Sequence, residues 1–241
     1  LGGEVTLLSG HVAVVTGAAS GNGRAIALAF AHEGAHVVIA DKRENPREGG
    51  MPTHKLIEQE TNQKAIFVQC DVTKLTDLET AVDAAETLGG VDIMVNNAGI
   101  LTKQSVLEAS ETEFELMMNV NVKSVYFGTQ VAAKRMVEKG RGNIINLSSI
   151  AGMRGTGGYA AYCMSKGAVR HMTMALADEL GPLGIRVNVL HPGIIETQMN
   201  IADDPIIGTQ TGEMYLNMIP LRRWGQADEV AKAALYLASD L

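Results

Sequence analysis

The segment Thr16-Gly17-Ala18-Ala19-Ser20-Gly21-Asn22-Gly23 follows an apolar β-branched run at 12–16 and leads at once into Arg24-Ala25-Ile26-Ala27, where helical apolar spacing begins. Glycines between a strand and a helix remove the Cβ atoms that would hold a pyrophosphate away from backbone N–H groups and the helix N-terminus. Such a turn also serves tight packing, so its setting decides the reading. Here it closes the first β-α unit, and Asp41 ends the next strand, His36-Val37-Val38-Ile39-Ala40-Asp41. A carboxylate at that point can accept from both hydroxyls of an adenosine ribose and repels a 2′-phosphate. Lys42 and Arg43 pull the other way, since adjacent cations could accommodate that phosphate.

The β-α alternation continues along the chain. Apolar β-branched runs at 36–40, 65–70, 92–95, 143–147 and 186–190 are separated by stretches with helical spacing at 21–33, 52–61, 75–88, 111–138, 159–180 and 227–238. Nearly continuous apolar strands indicate burial on both faces. The fold class is therefore α/β: a doubly wound parallel sheet with helices on both faces, each crossover right-handed. No repeat, low-complexity tract or linker divides residues 1–241, which read as one dinucleotide-binding and catalytic domain. Gly34 and Gly181 stand where helix ends favour positive φ, and Ser20, Thr73 and Thr112 are available as caps. Residues 41–51 and 192–220 read as loops.

Composition narrows the function classes. With 20 Lys+Arg against 27 Asp+Glu the net charge is −7, the wrong sign for a phosphate-backbone binder, so no nucleic-acid partner is expected. No apolar run reaches the ~18–20 residues of a membrane helix, and Leu1-Gly2-Gly3-Glu4 lacks the basic and apolar regions of a signal peptide. A cytoplasmic location without membrane attachment is the expectation. Cys70 and Cys163 fit neither metal-ligand spacing nor C-x-x-C, and read as reduced thiols; the six histidines show no ligand pattern, so no metal is expected. Met117, Met118, Met172 and Met174 read as helical core, whereas Met153, Met199, Met214 and Met218 fall in loops that could touch a substrate.

Tyr162-Cys163-Met164-Ser165-Lys166 places a phenol and an ammonium at i and i+4, on one helix face. A nearby Lys⁺ stabilises phenolate and brings a tyrosine toward the range where it exchanges protons with an alcohol. Ser149 ends the fifth strand, where loops at strand carboxyl ends line the ligand crevice.

In these residues the chain resembles the short-chain dehydrogenase/reductase family over nearly its whole length. The resemblance rests on TGAASGNG at 16–23, NNAG at 96–99, the serine of NLSSIAG at 146–152, YCMSK at 162–166 and HPGIIET at 191–197, in that order. It implies a catalytic set of Asn121, Ser149, Tyr162 and Lys166 on a Rossmann sheet of strand order 3-2-1-4-5-6-7. Tyr162 would be the acid/base and Ser149 the group that polarises the carbonyl. Lys166 would hold the nicotinamide ribose, and Asn121, preferred over Asn119, would anchor a relaying water. By the same resemblance Gly17, Ser20, Gly21, Asn22 and Gly23 hold the cofactor diphosphate, and Asp71 and Val72 flank the adenine. Asn97, Ala98 and Gly99 line the ribose side, while Pro192, Gly193, Ile195 and Thr197 receive the nicotinamide carboxamide. A homodimer or homotetramer built on the helices at 111–138 and 159–180 is also implied.

Two features depart from the family pattern. Asn22 replaces the usual apolar residue between the last two glycines, and the chain stops at Ser239-Asp240-Leu241, before the family's seventh, C-terminal strand. The function implied is NAD(H)-dependent interconversion of a secondary alcohol (a polyol, sugar or similar) and a ketone. The alternatives are an NADPH-dependent 3-oxoacyl thioester reductase and a dinucleotide-binding regulator without catalysis, which would lack the tyrosine or the lysine.

Overall fold

The computed structural model describes residues 6–241, so the opening Leu1-Gly2-Gly3-Glu4 read above for a leader lies outside the described residues. Six strands form one sheet: β1 (Val12–Thr16), β2 (His36–Asp41), β3 (Ala65–Gln69), β4 (Ile93–Asn96), β5 (Gly142–Leu147) and β6 (Ile185–Leu190). Their order is β3-β2-β1-β4-β5-β6, and every pairing is parallel. The order reverses between β1 and β4, which opens a crevice at the carboxyl ends of those strands.

The helices are α1 (Gly21–His32), α2 (Thr53–Glu60), α3 (Leu75–Glu86), α4 (Glu111–Met118), α5 (Ser124–Lys139), α6 (Ala160–Leu180), α7 (Gln210–Met218) and α8 (Ala227–Ala238). Alternate strand residues feed two apolar layers, as the two-residue period requires. Ala13 and Val15 of β1 pack with Ile26 and Phe30 of α1 and Ala231 and Ala234 of α8. Val12 and Val14 face the opposite layer, with Leu78 and Val82 of α3 and Met136 of α5. Phe30 has no exposed surface; truncating such a residue to Ala typically costs ~3–5 kcal/mol, because the cavity cannot close.

The structure amends several local expectations. The helix expected at 111–138 runs without a break in helical backbone, but a π-turn at Asn119–Lys123 interrupts its regular hydrogen bonding between α4 and α5. Residues 192–220 carry a second π-turn, Met199–Asp203, and helix α7, which Thr209 caps by accepting the Gly212 N–H at 3.1 Å. Gly181 has φ −55° and continues into a 3-10 turn; the chain reverses at Gly184, φ +79°. Ser110, not Thr112, caps α4, through a reciprocal box with Glu113. Lys74, not Thr73, precedes α3, and the Thr73 hydroxyl donates instead to Asp71 at 2.7 Å. Met174 is 58% exposed and so lies outside the core. No helix among the described residues is long and apolar enough to cross a membrane.

Candidate active site

The glycine turn is shaped by backbone conformation and by close contact. Gly17 (φ +65°) and Gly21 (φ +55°) occupy the left-handed region, where a side chain is strained. A Cβ on Gly23 would run into the Gly17 carbonyl and the Asn97 amide. Gly23 therefore packs beneath the cradle and does not itself line the crevice. Thr16 and Asn97 lock the turn onto β4: Thr16 Oγ1 accepts from Asn97 N (3.0 Å) and Ala98 N (3.1 Å), and Asn97 Nδ2 donates to Thr16 O at 2.9 Å. The Asn97 side chain braces the cradle, while Ala98 and Gly99 line the cavity beside it. Ser20 precedes α1, but its hydroxyl accepts Arg47 N at 2.7 Å instead of a helix amide. Asn22 lines the same space, with its Oδ1 buried and unpartnered.

At the tip of β2, Asp41 accepts Ala19 N at 3.0 Å through one oxygen and Arg43 N at 3.2 Å through the other. A carboxylate has about four acceptor positions, so lone pairs remain toward the cavity. Lys42 pairs with Asp71, 3.2 Å distant, and both Lys42 and Arg43 line the cavity beside Asp41. Burial disfavours the Asp71 charge, yet hydrogen bonds from Thr73 and Lys42 hold that carboxyl below its ordinary value. Of the pair expected to flank an adenine, Val72 lines the cavity, and Asp71 stands beside it, paired with Lys42.

The other half of the site is built by β5 and α6. Ser149 leaves β5 in extended conformation, buried, and its Oγ accepts Ala151 N at 3.1 Å. The chain turns back tightly against α6, because Ser148 Oγ donates to Lys166 O at 2.7 Å and a Cβ on Gly152 would lie 2.6 Å from that same carbonyl. Tyr162 and Lys166 project from one face of α6, with the ammonium 5.9 Å from the centre of the phenol ring. Burial pushes the Tyr162 pKa up, and the Ser149 hydroxyl opposes that rise. Lys166 is buried against the Leu147 carbonyl, 2.9 Å away, and desolvation pushes its pKa down to about 8. Desolvation is the largest influence on both groups.

Asn121 lies in the first π-turn, fully buried. Its Oδ1 accepts Ile100 N at 2.8 Å, and its Nδ2 donates to Ile100 O (2.9 Å) and Ser165 Oγ (3.1 Å). Its amide thereby ties the loop after β4 to α6, whereas Asn119 is half-buried. A Cβ on Gly99 would sit 3.3 Å from both Asn121 Oδ1 and Lys166 Nζ, so that glycine allows the two to converge. π-turns recur at functional sites.

One cavity of about 890 Å³ joins these parts, running from Asp41 past Gly21 to Tyr162 and out under the segment after β6. That is within the usual range for a ligand cleft. Pro192, Gly193, Ile195 and Thr197 line it, as do Ile150, Arg154, Tyr159 and Cys163. Of the loop methionines, Met199 and Met218 line it; Met153 and Met214 do not. Residues that sequence reading overlooked are Arg47 and Glu48, in the loop after β2. Tyr159, just before α6, bonds Asp204 through its hydroxyl. Both cysteines are free thiols. No three His, Cys, Asp or Glu side chains converge as metal ligands among the described residues.

A family model described as Enoyl-(Acyl carrier protein) reductase (adh_short_C2) matches residues 17–241. The L-2,3-butanediol dehydrogenase of Corynebacterium glutamicum is 41% identical over 238 residues, covering 95% of this chain and 92% of that protein. A short-chain type dehydrogenase/reductase from Mycobacterium marinum superposes with TM-score 0.88 at 36% identity, covering 98% of this chain and 91% of that one. A gluconate 5-dehydrogenase-like structure from Beutenbergia cavernae with bound NADP does so with TM-score 0.89 at 31% identity, covering 98% and 92%. The chain belongs to the short-chain dehydrogenase/reductase family. It is an oxidoreductase acting on CH–OH groups, of the secondary-alcohol type, in a family that binds NAD(P) and acts on small molecules.

Proposed function

We propose that this enzyme interconverts a small hydroxyl-rich secondary alcohol, a polyol or sugar derivative, and the corresponding ketone, with NAD(H) as its cofactor. The observation that carries the reading is the convergence of Ser149, Tyr162 and Lys166 on one cavity that ends at the Asp41 carboxylate. The glycine cradle fits a dinucleotide, because Gly17 and Gly21 hold conformations that side chains resist, so no Cβ stands over the start of α1. When bound, the nicotinamide supplies the hydride acceptor or donor. Tyr162 handles the proton of the substrate oxygen. Because Ser149 Oγ already accepts Ala151 N, its own proton is available to donate to that oxygen. Lys166 presents a charge to the nicotinamide ribose and the phenol. Asn121, its amide saturated by Ile100 and Ser165, acts as a positioning residue for Lys166 and the loop after β4.

The preference for NAD(H) is supported by the fate of the nearby cations. Lys42 is paired with Asp71 and Arg47 with Asp203, which leaves Arg43 as the cation nearest Asp41 in sequence that makes no ion pair among the described residues. The substrate class is supported by the relatives, named for a butanediol and for gluconate, and by walls that mix Ile150, Met199 and Ile206 with Arg154 and Tyr159. The test is dinucleotide reduction over a panel of diols, polyols, sugars, hydroxysteroids and 3-hydroxyacyl thioesters. Turnover on diols or polyols with NAD⁺ is expected. Exclusive turnover of the thioesters with NADP⁺ would replace this reading by that of a 3-oxoacyl reductase.

A further inference from the structure

The loop after β2 is tied down at both sides of the crevice. Arg47 Nη1 and Nη2 donate to Asp203 Oδ2 and Oδ1, each at 2.6 Å, a bidentate pair joining that loop to the second π-turn. Arg47 N donates to Ser20 Oγ at 2.7 Å, and Glu48 Oε1 accepts Gly21 N at 3.0 Å. Glu48 therefore occupies one of the backbone donors at the start of α1, the donors that suit a diphosphate. The next residue, Asp204, bonds the Tyr159 hydroxyl on the other side, so two consecutive acids link the loop of 42–51 to the head of the catalytic helix.

We infer that residues 42–51 form a strap across the dinucleotide site, latched by Arg47–Asp203 to the segment after β6 that covers the cavity, so that cofactor exchange and movement of that segment are one event. The inference rests on the dinucleotide reading above. A diphosphate and the Glu48 carboxylate cannot share the Gly21 N–H, because like charges at that distance repel. Entry must swing Glu48 away, and the backbone carrying Glu48 is the backbone carrying Arg47. Planar, two-point pairing makes the Arg47–Asp203 contact geometrically strict, so displacing the strap breaks it and removes the tie between the π-turn and the loop after β2, leaving the π-turn held by the side-chain bonds of Asp204 and Asn200. The latch spans 156 residues of sequence, so it couples two loops far apart in the chain.

The experiment is stopped-flow binding of NADH, with NADPH in parallel, to the full chain and to Arg47→Met, Asp203→Asn, the double variant and Glu48→Gln, with amide hydrogen exchange on each. Either latch variant is expected to raise both association and dissociation rate constants about three- to tenfold, as loss of a bidentate pair permits. The double variant is expected to be no faster than the singles, because both remove one contact. Asp203→Asn is expected to speed exchange in 42–51, and Arg47→Met in 199–204. Glu48→Gln is expected to tighten NADH binding by about the same factor. Binding with unchanged rates and unchanged exchange in the latch variants overturns the strap while leaving the cofactor reading intact. Failure of the wild type to bind either dinucleotide overturns both.

Discussion

Lys166 Nζ donates to the Leu147 carbonyl at 2.9 Å and is sealed from solvent, with no carboxylate paired to it. A buried unpaired ammonium opposes folding. Its pKa falls from an ordinary 10.5 to about 8. Below pH 8 the lysine is charged in both folded and unfolded chains, and the destabilisation is complete. Between about 8 and 10.5 the folded state releases the proton while the unfolded state keeps it, so stability rises with pH through that window. Lys166→Met is therefore expected to melt higher than the wild type at pH 7, to lose that advantage progressively toward pH 10, and to lack dinucleotide-linked turnover throughout. A variant melting lower at pH 7 would show that the Leu147 bond outweighs the buried charge.

Tyr162→Phe removes the phenolic proton and little volume. Turnover is expected to drop ~10²–10⁴-fold with NADH binding retained. Ser149→Ala is expected to lower kcat while leaving cofactor affinity alone, since Ser149 faces the reacting oxygen and not the diphosphate. Steady-state kinetics with fluorescence titration of NADH separates the two parameters, and near wild-type kcat in Tyr162→Phe would remove it from the acid/base role.

Gly23 and Gly193 both line or underlie the same crevice, yet an added Cβ meets different surroundings. At Gly23 it collides with the Gly17 carbonyl, which cannot move without opening the cradle, whereas at Gly193 nothing lies within 4 Å. Gly23→Ala is expected to destabilise the chain by about 1–3 kcal/mol, the range for overpacking, and to weaken NADH binding. Gly193→Ala is expected to leave stability unchanged. Urea unfolding with equal m-values checks both.

Strand positions were legible because the inner strands are buried on both faces and read as apolar runs, Val12–Thr16 being the clearest, while the edge strands β3 and β6 are buried only in part. The Tyr162 and Lys166 spacing was legible because an α-helix fixes which residues share a face. What escaped reading is set by long-range contact. The π-turn at Asn119–Lys123 has no local composition signal; it exists because Asn121 must reach Ile100 and Ser165 from distant elements. Helix α7 hides behind Gly212, whose missing Cβ permits contact with the Ile206 carbonyl. Charged loop residues Arg47 and Glu48 looked like solvated surface, and only their partners, Asp203 and Gly21, give them a place.

Apolar side chains stand exposed on one side of the sheet: Phe114 and Leu116 of α4, Tyr126 of α5, and Met164 and Met174 of α6, the last at 58%. Exposed apolar side chains on neighbouring helices are a feature of association surfaces. Self-association through these helices is the expected outcome, and multi-angle light scattering at micromolar concentration reads it directly. A 25.6 kDa particle at that concentration would reject it.

Cofactor choice is set by the balance between Asp41 and the cations around it. Asp41 is aimed by the Ala19 and Arg43 amides, so its position is fixed before any ligand arrives. Toward an adenosine ribose it offers charge-assisted hydrogen bonds, each worth ~1.5–3 kcal/mol. A 2′-phosphate in the same place would lose those bonds and meet a like charge. Against this, Lys42 is engaged by Asp71, 3.2 Å away, which leaves Arg43 to oppose the carboxylate from an exposed loop. An exposed cation contributes about 1 kcal/mol or less, because solvent and salt screen it. The carboxylate wins, and the wild type is expected to show higher kcat/KM with NAD⁺ than with NADP⁺. Asp41→Ser is expected to erase or reverse the ratio, since it removes both the bonds and the repulsion, and Arg43→Ala placed on that background is expected to lower NADP⁺ use again. Paired kcat/KM measurements with the two cofactors decide it: a wild type that prefers NADP⁺ would show that Arg43 outweighs Asp41.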